Sequence, residues 1–238
     1  MSVHNRSSRI FAVVPCAGSG SRSGSPQPKQ YVRLHHETVV GHTLQALWAV
    51  TQIELIVVAL APDDHLFERE VPWFSGKRAV VERCGGTTRA QTVTSALQVL
   101  RQRGAQPHDW VLVHDAARCL VRPAWVGGLI EACLDDEVGG LLACPLSDTL
   151  KVADAQRVVS TVSRHDKWVA QTPQMFRWQL LQEALQRAGD QVTDEASAVE
   201  ALGQRPVLVP APMENFKVTY SHDFDLARRL LSTRRELA

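Results

Sequence analysis

Gly18-Ser19-Gly20-Ser21-Arg22 follows directly on the apolar run Ile10 to Pro15, and Pro28-Lys29-Gln30 comes within the same loop. A strand that empties into a glycine-rich loop lets backbone N–H groups approach phosphate oxygens, and this loop adds two cations on flexible stems. Such a segment could cradle a nucleoside triphosphate and neutralise its charge; a Gly/Ser-rich connector is the competing reading of the same composition. Neither familiar phosphate motif fits. A Walker A loop needs Gly-Lys-Ser/Thr, and Gly18-x-Gly20-x-x-Ser23 lacks the third Gly or Ala of a dinucleotide fingerprint. Pro26 and Pro28 also prevent a long helix from starting straight after the glycines.

Ligands of parallel sheets bind beyond the carboxyl ends of the strands, which selects two further segments, Cys84-Gly85-Gly86-Thr87-Thr88-Arg89 and His114-Asp115-Ala116-Ala117-Arg118. Gly85-Gly86 permits close backbone approach to a base or ribose, with Thr92 one turn along the next helix as a hydroxyl donor. Asp115, at the end of an apolar strand, could face a metal or a polyol hydroxyl, or could simply form a turn or cap a helix.

The elements that must position these loops are short β-branched runs alternating with helical patterns. Ile10 to Pro15, Leu55 to Ala59, Ala79 to Glu82, Trp110 to His114 and Gly140 to Cys144 read as strands buried on both faces, which implies a parallel sheet. Thr43 to Val50 and Thr88 to Leu100 carry apolar residues at helical spacing and read as crossover helices. Asp63-Asp64 and Thr87-Thr88 stand where N-caps belong, and Pro123 suits the first turn of a helix running to about Leu134. The expectation is a doubly wound α/β fold.

From Leu146 to about Arg164 the pattern changes. Thr149 to Val152 and Val158 to Val162 flank the polar Ala153 to Arg157 and read as a projecting hairpin. A two-stranded hairpin is marginal alone in water, so it packs either on a second copy of the chain or back on its own sheet. Helices near Arg177 to Arg187 and Thr193 to Ala201, a strand Pro206 to Val209 and a closing helix from about Asp223 complete the chain.

With 238 residues, 45% of them hydrophobic, the chain suits one large domain over residues 1–238. A net charge of +1 and dispersed Lys and Arg argue against a nucleic-acid surface, so small anionic partners are expected. Five scattered cysteines without a C-x-x-C pair indicate neither a disulfide framework nor a zinc site. No apolar run approaches the roughly 20 residues that span a bilayer, and Met1 to Arg9 lacks an apolar signal core, so no membrane partner and a cytoplasmic location are expected.

Seven segments together resemble the 2-C-methyl-D-erythritol 4-phosphate cytidylyltransferases: Ala12 to Arg22, Pro28-Lys29-Gln30-Tyr31, Val113 to Arg118, Asp148-Thr149-Leu150-Lys151, Gln171-Thr172-Pro173-Gln174, Thr193-Asp194-Glu195-Ala196-Ser197 and Asn215-Phe216-Lys217-Val218-Thr219. They occur in that family's order and cover nearly the whole chain. The resemblance implies a Rossmann-like nucleotidyltransferase domain with a mainly parallel sheet, whose arm at residues 146–164 is exchanged across a homodimer. It implies transfer of a cytidylyl group from CTP to 2-C-methyl-D-erythritol 4-phosphate, giving 4-diphosphocytidyl-2-C-methyl-D-erythritol and pyrophosphate. Mg²⁺ would come with the triphosphate, held mainly by phosphates and water, with no protein metal ligand assigned.

By the same resemblance, Arg22 and Lys29 stabilise the transition state, while Arg164 and Lys217 aim the acceptor phosphate. Cys16, Ala17, Gly18, Gly20, Gly85, Gly86 and Thr92 join Arg22 and Lys29 around CTP. Asp115, Ala116, Arg118, Thr149, Thr172 and Thr193 join Arg164 and Lys217 around the phosphorylated polyol. The chain departs from the family pattern at Cys16 (usually Ala), Ser23 (often Met) and Cys119 (often Pro), and without that proline Arg118 loses an extended bias. The alternatives are a cytidylyltransferase for another polyol phosphate such as ribitol 5-phosphate, or a non-catalytic nucleotide-sensing module.

Overall fold

The alternation of Ile10 to Cys16 explains the architecture. Ile10, Ala12 and Val14 belong to one buried apolar cluster, Phe11 and Val13 to another, so this strand, β1 (Ile10–Cys16), is covered on both faces. The structure, a computed structural model, describes residues 8–18, 27–189 and 192–236. Besides β1, its main sheet contains β4 (Ile53–Leu60), β5 (Ala79–Glu82), β6 (Trp110–Val113), β7 (Gly139–Pro145), β10 (Trp168–Arg177) and β11 (Val207–Pro210), in the order β11-β7-β10-β6-β1-β4-β5. Neighbours pair in parallel except β10, which runs antiparallel to both β6 and β7. A short pair, β2 (Arg33–Leu34) and β3 (Glu37–Thr38), lies apart from it.

One face packs against α1 (Val39–Trp48) and α4 (Pro123–Leu134), through Val40, Leu44, Leu47, Val126, Leu129 and Ile130. The other packs against α3 (Arg89–Gln102), α5 (Trp178–Ala188) and α6 (Glu195–Glu200). At roughly 25 cal/mol per Å² of apolar surface, these two layers supply the main force that holds the strand ends in register. The four-residue α2 (Phe67–Glu70) follows β4, and α7 (Ser221–Glu236) closes the chain.

The expected parallel strands form close to their predicted bounds. Thr88 caps α3, its hydroxyl accepting from Gln91 N–H, and Pro123 begins α4. Asp64 accepts from the N–H groups of Leu66 and Phe67, a turn ahead of α2. Three expectations need correction. The first crossover helix begins at Val39, four residues early, because Thr38 caps it by accepting from Gly41 N–H. The helix expected from Thr193 starts at Glu195, since Asp194 is its N-cap in a capping box with Ser197. The ten-residue strand β10, in mid-sheet, was not anticipated at all.

The hairpin forms as β8 (Leu150–Asp154) and β9 (Arg157–Val162). Its two-residue turn places Ala155 and Gln156 at φ of 43° and 65°, the left-handed pair that matches strand twist in a tight hairpin. Every residue of β8 and all but the last of β9 are exposed. Val158 and Val159 keep 64% and 65% of their surface in water, so none of the described residues covers them.

Candidate active site

The carboxyl ends of β1, β5 and β6 converge, as the parallel order requires. A cavity of about 350 Å³ opens there, lined by Cys16, Ala17, Gly18, Lys29, Gly86, Thr92, Asp115, Ala116 and Lys217, among others. Nine predicted site residues thus face one space although they come from four distant segments.

The floor is backbone. Gly85 N–H donates to Leu60 O, and a Cβ on Gly85 would lie 2.4 Å from Ala17 Cβ and 2.6 Å from Leu60 O, so only glycine lets these loops touch. Gly85 itself lies behind the wall that Gly86 presents. Gly86 N–H donates to Thr92 Oγ1, and the Thr92 hydroxyl donates to Thr88 O. Thr92 therefore braces the loop, with its proton engaged inside the chain. Cys16 is buried, and burial pushes its thiol well above its ordinary pKa, so it offers the cavity backbone and not a nucleophile.

Lys29 begins a short 3₁₀ turn, Lys29–Tyr31, pinned at its end by Tyr31, whose hydroxyl donates to Asp64 at 2.7 Å. Gln30 Nε2 reaches Cys16 O. Lys29 Nζ donates to Val218 O at 2.8 Å, which ties the first cation to the strand of chain that carries Lys217. Gly20 and Arg22 lie outside the described residues.

Asp115 is the centre of charge. Its Oδ2 takes Lys217 Nζ at 2.9 Å, its Oδ1 takes Arg89 Nε at 2.8 Å, and Arg118 Nε stands 3.7 Å from Oδ2. Burial raises the pKa of this carboxyl, but Arg89, then Lys217 and Arg118, outweigh it and hold the group far below the usual carboxylate range. Asp115 is ionised at any physiological pH. Arg118, despite Cys119 in place of a proline, is held by its own contacts: Nη1 donates to Asn215 O at 2.7 Å, and its backbone N–H closes a turn on Asp115 O. The Cys119 thiol beside it is buried and pushed up to about 12.

Thr172 is buried and engaged. Its Oγ1 accepts from Asp115 N–H at 3.0 Å and pairs with His114 Nδ1 at 3.0 Å. His114 Nε2 faces Arg118 O, which can only accept, so Nε2 carries the proton and the Thr172 hydroxyl donates to Nδ1. Burial lowers the His114 pKa to about 4, which keeps this relay neutral. Thr193 stands exposed before α6, its hydroxyl on Ser197 Oγ. Thr149 and Arg164 lie at the base of the arm, where an Arg164 guanidinium nitrogen donates to Ser147 O. Within this chain neither lines the cavity, and a smaller hollow of about 230 Å³, lined by Leu146, Ser147, Asp148, Met213, Arg118 and Lys217, adjoins it through Lys217.

Sequence reasoning missed Arg89 and Glu195. Arg89 grips the fully buried Glu195 with both terminal nitrogens, at 2.6 and 2.9 Å. It also missed Asn215, whose side-chain N–H groups hold Gln171 Oε1 and Thr172 O. Their signal was chemical type at a strand or helix end, but charged and amide residues are exposed by default and only pairing reveals the exceptions.

Among the described residues, no group of three or more His, Cys, Asp or Glu is arranged to hold a metal, and Asp115 is the cavity's one lining carboxylate. Both its oxygens are already engaged by cations. This donor set suits a divalent ion that arrives on a triphosphate, not one caged by protein.

Residues 10–233 match the family IspD: 2-C-methyl-D-erythritol 4-phosphate cytidylyltransferase. The chain is 54% identical over 226 residues to a bifunctional enzyme IspD/IspF of Albidiferax ferrireducens; the match covers 95% of this chain and 54% of that enzyme, about half its length. It is 47% identical over 232 residues to the 2-C-methyl-D-erythritol 4-phosphate cytidylyltransferase of Paraburkholderia phytofirmans, covering 94% of this chain and 97% of the other. A crystal structure of 4-diphosphocytidyl-2C-methyl-D-erythritol synthase superposes with a TM-score of 0.83 at 39% identity, over 94% of this chain and 98% of that one.

Proposed function

The chain belongs to the 2-C-methyl-D-erythritol 4-phosphate cytidylyltransferase family, and we propose how its residues divide that family's reaction among them. The reaction transfers a cytidylyl group from CTP to 2-C-methyl-D-erythritol 4-phosphate, releasing pyrophosphate, in isoprenoid precursor biosynthesis. The observation that carries our division of labour is the convergence of Lys29 and Lys217, from opposite ends of the chain, on one glycine-floored cavity around Asp115.

The acceptor's phosphomonoester has a second pKa near ~6 and is mostly dianionic at neutral pH, so its oxygen attacks the α-phosphorus without a general base. The work left to the protein is to bring two anions together and to offset charge on the α-phosphate in the pentavalent state. Lys29, with Arg22, meets the triphosphate; Lys217, with Arg118, turns toward the acceptor phosphate. Asp115 holds the Lys217 ammonium in place until substrate arrives. Backbone groups of Ala17, Gly18 and Gly86 read the base. A divalent cation such as Mg²⁺, if it arrived with CTP, would supply charge compensation there, with no side chain of the cavity assigned to hold it.

The arm, residues 146–164, packs on a second copy, and Arg164 and Thr149 reach the partner's acceptor site. The exposed Val158 and Val159, and the fact that Thr149 and Arg164 do not line their own chain's cavity, support this reading. No described helix is long and apolar enough to cross a membrane, and five free cysteines, four of them buried, suit a reducing cytoplasm. Pyrophosphate release tests the whole assignment. Turnover is expected with CTP and the methylerythritol phosphate, and comparable kcat/KM with UTP, or with ribitol 5-phosphate as acceptor, would overturn it.

A further inference from the structure

Arg89 is the first residue of α3, directly after the loop that walls the nucleotide cavity. Each of its three guanidinium nitrogens already donates to a carboxylate oxygen: Nε to Asp115 Oδ1, and the two terminal nitrogens to Glu195 Oε1 and Oε2. Glu195 opens α6, is 0% exposed, and among the described residues has no other charged partner. A carboxylate so buried is retained only when paired, and a bidentate pair fixes the plane of the guanidinium. The fork is thus locked by Glu195, and its remaining edge is aimed at Asp115.

This sets what Asp115 can do. With Oδ1 held by Arg89, its Oδ2 is the atom left for Lys217 at 2.9 Å, and rotation of the carboxylate would break the Arg89 contact. Arg89, Arg118 and Lys217 stand against Asp115 and Glu195, with Asp194 also acting on Arg118, so the cations of this cluster are closely balanced by carboxylates beside the cavity. The cluster also joins three segments: the loop that ends at Thr88, the end of β6, and the turn that opens α6.

We propose that Arg89, locked by Glu195, is a positioning residue of the cytidylyl transfer, acting through Asp115 to fix the direction of the Lys217 ammonium toward the acceptor phosphate. This rests on the assignment of Lys217 to that phosphate. Arg89 is not a catalytic residue, because its nitrogens are turned to carboxylates.

The test compares Arg89→Gln, Arg89→Lys and Glu195→Gln in steady-state kinetics with both substrates varied. Arg89→Gln is expected to lower kcat by about 100-fold and raise the acceptor KM by about tenfold, while the CTP KM stays within about threefold. Arg89→Lys gives no rescue, since a point ammonium cannot serve both carboxylates at once. Glu195→Gln, which touches neither substrate, moves the same two constants in the same direction by a smaller factor. In an Asp115→Asn background, Arg89→Gln should add less than about a threefold further loss, because the two act as one unit. Folded variants with a lowered Tm but unchanged kcat and KM, or losses that multiply in full in the Asp115→Asn background, would overturn the proposal. Wild-type turnover is the separate control for the functional reading. Should the wild type not turn over, crystal structures of it and of Glu195→Gln decide the matter: the Asp115–Lys217 contact must be displaced in the variant, and an unmoved contact refutes the positioning role.

Discussion

Asp115 and Arg164 belong to the same proposed chemistry but live in opposite surroundings. Asp115 is 7% exposed and met by cations from three separate elements, whereas Arg164 sits on an arm whose strands bury almost nothing within their own chain. The surroundings of Asp115 are preorganised by one chain's core. The arm half is a hairpin paired within itself that carries its apolar residues outward. On the proposed assignment, charge placement is a property of folding on one side and of association on the other.

The sharpest break of that comparison is Lys29→Ala. A cation aimed at developing charge is worth about 3 to 4 kcal/mol in the transition state, so kcat should fall by about 10² to 10³ with little change in CTP affinity measured by calorimetry. A raised KM at unchanged kcat would reduce Lys29 to a binding contact.

Next comes acid sensitivity, which belongs to the buried half alone. His114 titrates near 4 when folded because burial disfavours its charged form, whereas an unfolded histidine titrates near ~6.5. The unfolded state therefore binds the proton first. The contribution is fully present above about pH 6.5 and is lost as pH falls toward 4, up to about 3 kcal/mol. Urea unfolding between those pH values should show this slope in the wild type and a flattened one in His114→Gln.

A smaller effect tests the shared site. Lys29→Ala and Arg164→Ala chains, each inactive alone, should regain roughly a quarter of wild-type activity when co-assembled, because half of random dimers are mixed and each has one sound site. Verified mixed dimers without activity would place Arg164 in its own chain's site. Smallest of all, Val158→Ser and Val159→Ser should change the stability of the separated chain by no more than about 0.5 kcal/mol, as substitutions at exposed positions do. The same substitutions should weaken association in sedimentation, and equal association would remove the arm from the interface.

The β-branched runs and their caps were legible because each carries its periodicity locally, and the arm was legible from its polar turn between alternating runs. Strand β10 was not. It contains Gln171, Pro173 and Gln174, and proline within a run argues against a central strand. Its glutamines are buried because tertiary partners satisfy them: Gln174 bonds Asp194 and the N–H of Ala196, and Gln171 bonds Pro212 O and Asn215. The glycine loops and Lys217 were legible as motifs. Arg89 and Glu195, 106 positions apart, carry no local sign that they pair.

The place of β10 also sets a timetable for the molecule. It fills the gap between β6 and β7, pairing Gln174 with Val113 and Leu141, so that both strands keep an open edge until a segment made much later arrives. Such distant pairings fold slowly, and on a ribosome they must wait for synthesis. Thr172, the acceptor for Asp115 N–H, arrives with that strand, and Lys217 later still. A nascent chain therefore cannot complete the Asp115–Lys217 contact, or the tie of Lys29 to Val218, until nearly all of it has been made, which makes regained activity a report on the arrival of its last segments.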